Sequence, residues 1–254
     1  AVYPVLYTKN TNGLRLTAGG SLISAKNISV ETKDALKNAG TLYAENILAQ
    51  AGNIDSTGLM RAGSIGLKSE HDINVQGSVI GDKNVLLDAA NNITVSSTTE
   101  RLAHQDVLNT TAGIAVKGDD GVLAMRAGKD IALTGATLSA NGNNGSVLLS
   151  AGENISLDTK KLRSDKDMTE NAENYLRTKR GTELATEIRT SGNISLAAGN
   201  NLTARAATIK SKNGTASLSA GNDISLTAGR ETAEDHYGIR YKESGLGTKR
   251  AVFS

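Results

Sequence analysis

Residues 194–204 read Ile-Ser-Leu-Ala-Ala-Gly-Asn-Asn-Leu-Thr-Ala, and the same phrase returns three times. It stands at 123–133 (LAMRAGKDIAL), 147–157 (VLLSAGENISL) and 216–226 (ASLSAGNDISL), with looser copies near 14–23, 47–54, 65–75 and 85–95. Apolar residues alternate on both sides of the Ala-Gly pair. Period-two alternation is the signature of a strand. Gly and Asn between the two halves mark turns, because both tolerate positive φ.

The spacing of these phrases sets the architecture. Ile54, Ile73 and Ile93 lie 19 and 20 residues apart, and Gly40, Gly58 and Gly77 lie 18 and 19 apart. About 20 residues is one coil of a β-solenoid: two or three strands of about five residues plus turns. Coils stack at the inter-strand spacing of roughly 4.8 Å, so inward side chains form ladders. The expected fold is all-β: a right-handed parallel β-helix of about nine or ten turns, about 45 Å long, with charged hairpin-like inserts.

Composition agrees. The 254 residues hold 27 Gly, one Pro, one Phe, no Trp and no Cys. A round core of this size normally contains several large aromatics; a narrow ladder of Ile, Leu, Val and Ala does not need them. The missing Cys removes disulfides, thiolate metal sites and cysteine nucleophiles. With 28 basic and 26 acidic residues the net charge is +2, which is no electrostatic footprint for nucleic acid. No apolar run approaches the roughly 18 residues of a membrane span, and residues 1–7 lack the basic leader of a signal peptide. The chain begins with Ala, so it reads as a piece of something longer.

A longer period overlies the coils. Gly128 matches Gly199, Ile131 matches Leu202, and Thr137-Leu138 matches Thr208-Ile209, all offset by 71. The expected organisation is one solenoid over 1–254, with regular coils in 1–95 and two-coil units at 121–157 and 192–226. Three polar, charged segments, 96–120, 158–191 and 227–254, project as inserts. The second, over 161–189, is rich in helix formers, so a helix competes there with a two-stranded hairpin.

Candidate chemistry is sparse. His71, His104 and His236 have no ligand-like spacing. Asp119-Asp120, Asp165/Asp167 and Glu231/Glu234/Asp235 are Ca²⁺-capable or paired carboxylates in type, but they lie in turns and inserts, where solvated acids are expected. No phosphate loop, nucleophile elbow or cofactor motif is present, and the expectation is no catalysis, no metal and no cofactor. Asn27, Asn92, Asn109, Asn154, Asn193, Asn201 and Asn213 head Asn-x-Ser/Thr sequons. A turn Asn followed by an inward Ile and an outward Ser or Thr produces that pattern without glycosylation. Candidate partner contacts are Lys160, Lys161 and Arg163 with Lys179 and Arg180, two clusters suited to lipid headgroups or lipopolysaccharide, and Tyr175, Arg177, Tyr237, Arg240 and Tyr241. The bland alternative is a solvated mixed-charge arm. Gly128, Gly152, Gly199 and Gly221 are read as structural turn residues.

Three features together resemble the haemagglutinin-repeat region of filamentous haemagglutinin-type exoproteins of Gram-negative bacteria. They are the Ala-Gly-Asn-(Asp/Asn)-(Ile/Leu) turns, the Tyr3-Pro4-Val5-Leu6-Tyr7 opening, and the charged insert after Ile-Ser-Leu-Thr-Ala-Gly-Arg at 224–230. The run 186–208 is similar to the second repeat region of contact-dependent growth inhibition effectors. That resemblance implies two-partner secretion through an outer-membrane β-barrel transporter and a rod on the cell surface. It also implies a role at the target cell's outer membrane or periplasm in carrying a C-terminal toxin inward. The partners it implies are the transporter, a target-envelope receptor and other rods, laterally or end to end. A filamentous adhesin for host cells or glycans is the alternative. A polysaccharide-cleaving enzyme on the pectin-lyase-like solenoid is a minor one, since fold does not carry function.

Overall fold

The computed structural model describes residues 20–170, 174–242 and 250–253, with side chains through 239. Among these residues there is no helix. The chain winds into a parallel β-helix whose coils have three faces. Face one is short, as in Gly113–Val116 and Thr137–Ala140; face two carries Val122–Ala127 and Ser146–Ala151; face three carries Ile131–Thr134 and Ile155–Asp158. In Thr41–Ala51, Leu59–Ser69 and Ser78–Ala89 the first two faces are one long bent strand. Face three forms an eight-stranded sheet with one strand per coil. Residues 22–227 therefore make eight complete coils, and the third insert leaves where a ninth would start.

Period-two alternation fills the core. Every inward position lies over its counterpart one coil below, so Leu36, Ile54, Ile73, Ile93, Ile131, Ile155, Leu202 and Ile224 form one column down face three. Its six central members are sealed from solvent, whereas Ile224, in the last coil, is 46% exposed. Aliphatic side chains stacked at this spacing leave no room for Trp, which accounts for the composition.

Two further ladders fix the corner between faces two and three. A Cβ on Gly128, Gly152, Gly199 or Gly221 would fall inside the carbonyl oxygen of Ala90, Gly128, Gly152 or Gly199 respectively. Only glycine lets the backbones approach that closely. Just beyond, Asn53, Asp72, Asn92, Asp130, Asn154, Asn201 and Asp223 stack, each side-chain oxygen but the last accepting a backbone N–H from the next coil. Where the next residue is Asn92, Asn154 or Asn201, its amide Nδ2 donates to the same oxygen. No two Asp residues are adjacent in this column, so no carboxylate faces another at one-coil spacing. These bonds also occupy the amide nitrogens of three sequon asparagines, Asn92, Asn154 and Asn201, which supports the turn reading of the pattern.

The inserts are antiparallel hairpins. Thr98–Leu102 pairs with Gln105–Thr110, and Lys160–Thr169 pairs with Tyr175–Leu184 over ten residue pairs. The helical alternative over 161–189 fails because the alternation along both strands satisfies a cross-strand ladder. The hairpins are narrower than the inserts read from sequence. Residues 96–120 include Gly113–Val116, whose Ile114 and Val116 are core, and 158–191 include Glu187–Thr190, whose Ile188 is core. The apolar residues of these short return strands are too few to stand out beside their charged neighbours.

Candidate interaction surface

The hairpins leave the rod at one corner, where face three passes to face one, and they do so after the fourth, sixth and eighth coils. After the fifth and seventh coils the same corner is closed tightly, by Gly135-Ala136 and Ala206-Ala207. Buried hydroxyls seal the roots of the arms. Ser97 Oγ donates to Gly135 O at 2.5 Å and accepts the Ala112 N–H at 2.9 Å, tying the two legs of the first arm together. Thr186 Oγ1 donates to Asp158 O at 2.6 Å at the root of the second.

The three arms form one sheet. The strand order is Thr98–Leu102, Gln105–Thr110, Lys160–Thr169, Tyr175–Leu184, Thr232–Lys242, Arg250–Phe253. The reason is dimensional. A hairpin is two strands wide, about 9.6 Å, and two coils rise about 9.6 Å. Hairpins issued at every second coil therefore lie edge to edge. The second and third arms pair over seven positions, from Tyr175↔Gly238 to Gly181↔Thr232. The first and second meet through one bridge, Gln105↔Ser164. Charge reinforces that joint: Arg101 spans Asp106 at 3.1 Å and Asp165 at 2.5 Å.

Arg205 clamps the sheet to the rod. Its Nε meets Asp158 at 2.8 Å, one guanidinium nitrogen meets Glu183 at 2.7 Å, and the other donates to Thr159 at 2.5 Å. The second Glu183 oxygen accepts the Arg230 N–H at 3.1 Å, at the start of the third arm. One side chain thus joins a coil to both legs of one arm and, through Glu183, to the next arm. The bond from Arg205 holds the Glu183 carboxyl below its ordinary range. The Arg163 backbone N–H, and then Arg101, lower Asp106; the Thr169 hydroxyl chiefly lowers Asp167.

Residues opposite one another in an antiparallel pair point to the same side. By register, Lys161, Arg163, Tyr175, Arg177 and Lys179 share one side of the sheet, with Asp165, Asp167, Glu183, Glu234 and His236. Arg177 pairs with Asp167 at 3.2 Å and lies 5.2 Å over the Tyr175 ring. Gly181, without a side chain, leaves a groove of about 600 Å³ bordered by Lys161, Arg163, Lys179, Thr232 and Glu234. Among the described residues the side chains of Lys161, Arg163 and Lys179 make no ion pair. Lys160, Arg180 and Tyr237 fall on the opposite side, where Arg180 pairs with Asp235 at 2.9 Å. That side also carries Met168, Leu176 and Tyr237 in one cross-strand row, 56, 39 and 52% exposed. Arg240 and Tyr241 continue the third arm, but their side chains lie outside the described residues.

The other candidates are scattered. His71 lies at a rod corner, His104 at the turn of the first arm and His236 on the third arm. Asp119 accepts the Asn143 N–H and Asp120 the Asn144 amide, so both serve their turn. Among the described residues no group of three or more His, Asp or Glu could hold a metal ion. Sequence reading missed the Arg205–Glu183 clamp and the merging of the arms. The one available signal was an Arg where the fourth, fifth, sixth and eighth coils carry Ser96, Thr134, Asp158 and Thr227.

Residues 167–239 match the hemagglutinin-repeat family model. The match begins within the second arm, crosses the seventh and eighth coils and ends in the third arm. It therefore covers about one period of the two-coil-plus-arm unit, and less than a third of the chain. No curated protein and no solved structure matches the chain. The matched residues comprise two coils of rod flanked by Tyr175–Leu184 of the second arm and most of Thr232–Lys242 of the third.

Proposed function

We propose that the chain is a structural and interaction segment of a secreted, cell-surface, rod-like exoprotein, and that the lateral sheet makes the contacts. The observation that carries this reading is the contrast between face three of the rod and the lateral sheet. Outward positions along face three are Lys37, Asp55, Asn74, Thr94, Ala132, Ser156, Thr203 and Ser225, after the first coil small groups suited to solvation. The lateral sheet has unpaired cations on one side and an exposed apolar row on the other.

The specific service we propose is contact-dependent toxin delivery at the target cell's outer membrane, after export through a two-partner transporter. The run 186–208, within the hemagglutinin-repeat match, supports it. The test replaces Lys160–Leu184 in the full parent protein by a tight corner like Gly135-Ala136. Thr159 and Thr186 are kept, because they seal the root. The expected result is a folded, exported rod that no longer becomes protease-protected in target cells. Undiminished delivery would overturn the proposal. The hemagglutinin-repeat match also favours a second reading, a filamentous adhesin. In that case the arm deletion abolishes saturable binding to host cells or glycans, and the segment stays accessible on the producer.

A further inference from the structure

The outward column of face two differs from every other outward column of the rod. From the first coil to the eighth it reads Ser29, Leu48, Gly66, Leu86, Ala124, Leu148, Ser195, Ser217. Leu48, Leu86 and Leu148 are 61, 49 and 43% exposed. They recur every second coil, about 9.6 Å apart, with Gly66 and Ala124 between them. The result is a ridge of leucine knobs separated by gaps. The column beside it reads Glu31, Gln50, Lys68, Asp88, Arg126, Ser150, Ala197, Ser219 in the same register. Among the described residues Lys68, Asp88 and Arg126 make no ion pair. The arms leave from the corner between faces three and one, so face two is the side they do not cover.

We infer that face two is a self-association surface whose occupant is a second copy of this chain, packed antiparallel. A two-fold axis across the rod between the fourth and fifth coils overlays all eight coils. It sets Leu86 over Ala124 of the other copy, Leu148 over Gly66 and Leu48 over Ser195, so knobs enter gaps along the whole ridge. The same operation brings Asp88 opposite Arg126 twice, and it opposes no two like charges in that column. A parallel pairing in register sets each leucine on its own copy, knob against knob. The alternation of large and small residues therefore selects both partner and direction. A closed two-fold contact of this kind is isologous, and its charges fix register more than they add affinity.

The chain has no Cys, which permits a direct test. Leu48 and Ser195 are five coils apart, about 24 Å, too far for a disulfide within one chain. The 254-residue chain carrying Leu48→Cys and Ser195→Cys together is expected to give a covalent dimer on oxidation, and each single variant to give none. Asp88→Arg is expected to remove most of the dimer from the double-Cys chain, and adding Arg126→Asp to restore it. All four side chains point outward, and unchanged circular dichroism and melting confirm folding. Absence of dimer from the double-Cys chain overturns the inference. So does cross-linking of Leu48→Cys alone to the same extent, which marks a parallel contact or chance collision.

Discussion

Gly135 and Ala206 hold the same corner of the rod two coils apart, and both have positive φ, 55° and 49°. They close the two corners, after the fifth and seventh coils, that lie between the coils issuing arms. A Cβ on Gly135 would stand 2.6 Å from the Lys160 Cβ at the root of the second arm. Ala206 has the same backbone without that crowding. Gly135→Val is therefore expected to destabilise the chain by about 1–3 kcal/mol. Ala206→Gly relieves a left-handed alanine and is expected to be neutral or stabilising by up to about 1 kcal/mol. Denaturant unfolding of the two variants checks the opposite signs.

Arg205→Met keeps much of the side chain's bulk and removes three anchors at once. The rod's core does not depend on the guanidinium, so its melting should change little. Amide exchange in Lys160–Thr169, Tyr175–Leu184 and Thr232–Lys242 should accelerate, because the clamp joins these strands to the seventh coil. Equal acceleration in Ile131–Thr134 would show that Arg205 supports the rod instead.

In the corner ladder, Asn154 donates its amide to Asp130 at 2.9 Å and accepts the Asn201 amide at 3.2 Å. Asn154→Leu leaves polar groups without partners on both sides and is expected to cost about 1–3 kcal/mol. Asn154→Asp sets a carboxylate over the Asp130 carboxylate. Its loss of stability should be larger at pH 7 than in acid, where protonation of one carboxyl restores a donor. Unfolding of both variants at pH 7 and pH 3, each against the parent chain, measures this.

The lateral sheet should loosen in acid before the rod does. Asp106, Asp167 and Glu183 have carboxyls lowered by their hydrogen-bond partners. A lowered folded value means the stabilisation is present above the unfolded pKa of about 4 and is lost as pH falls through the lower folded value. Amide exchange, corrected for its intrinsic pH dependence, is expected to rise in the arms below about pH 4. The core strands of face three should keep their protection there.

The legible part of the fold lies in residues that answer to their own coil. The column through Ile131 and Ile155 and the ladder through Gly128, Gly152, Gly199 and Gly221 repeat a residue type at a fixed interval, so the sequence displays them. The offset of 71 also showed that two coils form the unit. The candidate surface was only partly legible. Lys161, Arg163 and Lys179 stand out as charge, but no local feature says that they share one side of a sheet while Arg180 faces the other. Ile114 and Ile188, on short return strands, are hidden in the sequence because their neighbours are polar.

By itself the sequence determined the coil, its narrow aliphatic core, its glycine and Asn/Asp corners and the existence of charged inserts. Each depends on alternation and turn chemistry within about 20 residues, repeated coil after coil. Only the tertiary structure decided that the inserts are one sheet, that Arg205 joins it to the rod, and that Leu48, Leu86 and Leu148 make a single ridge. Those facts rest on the coil rise and the strand spacing being the same distance. That equality appears only when coils of unequal length are stacked and residues far apart in the chain come into register.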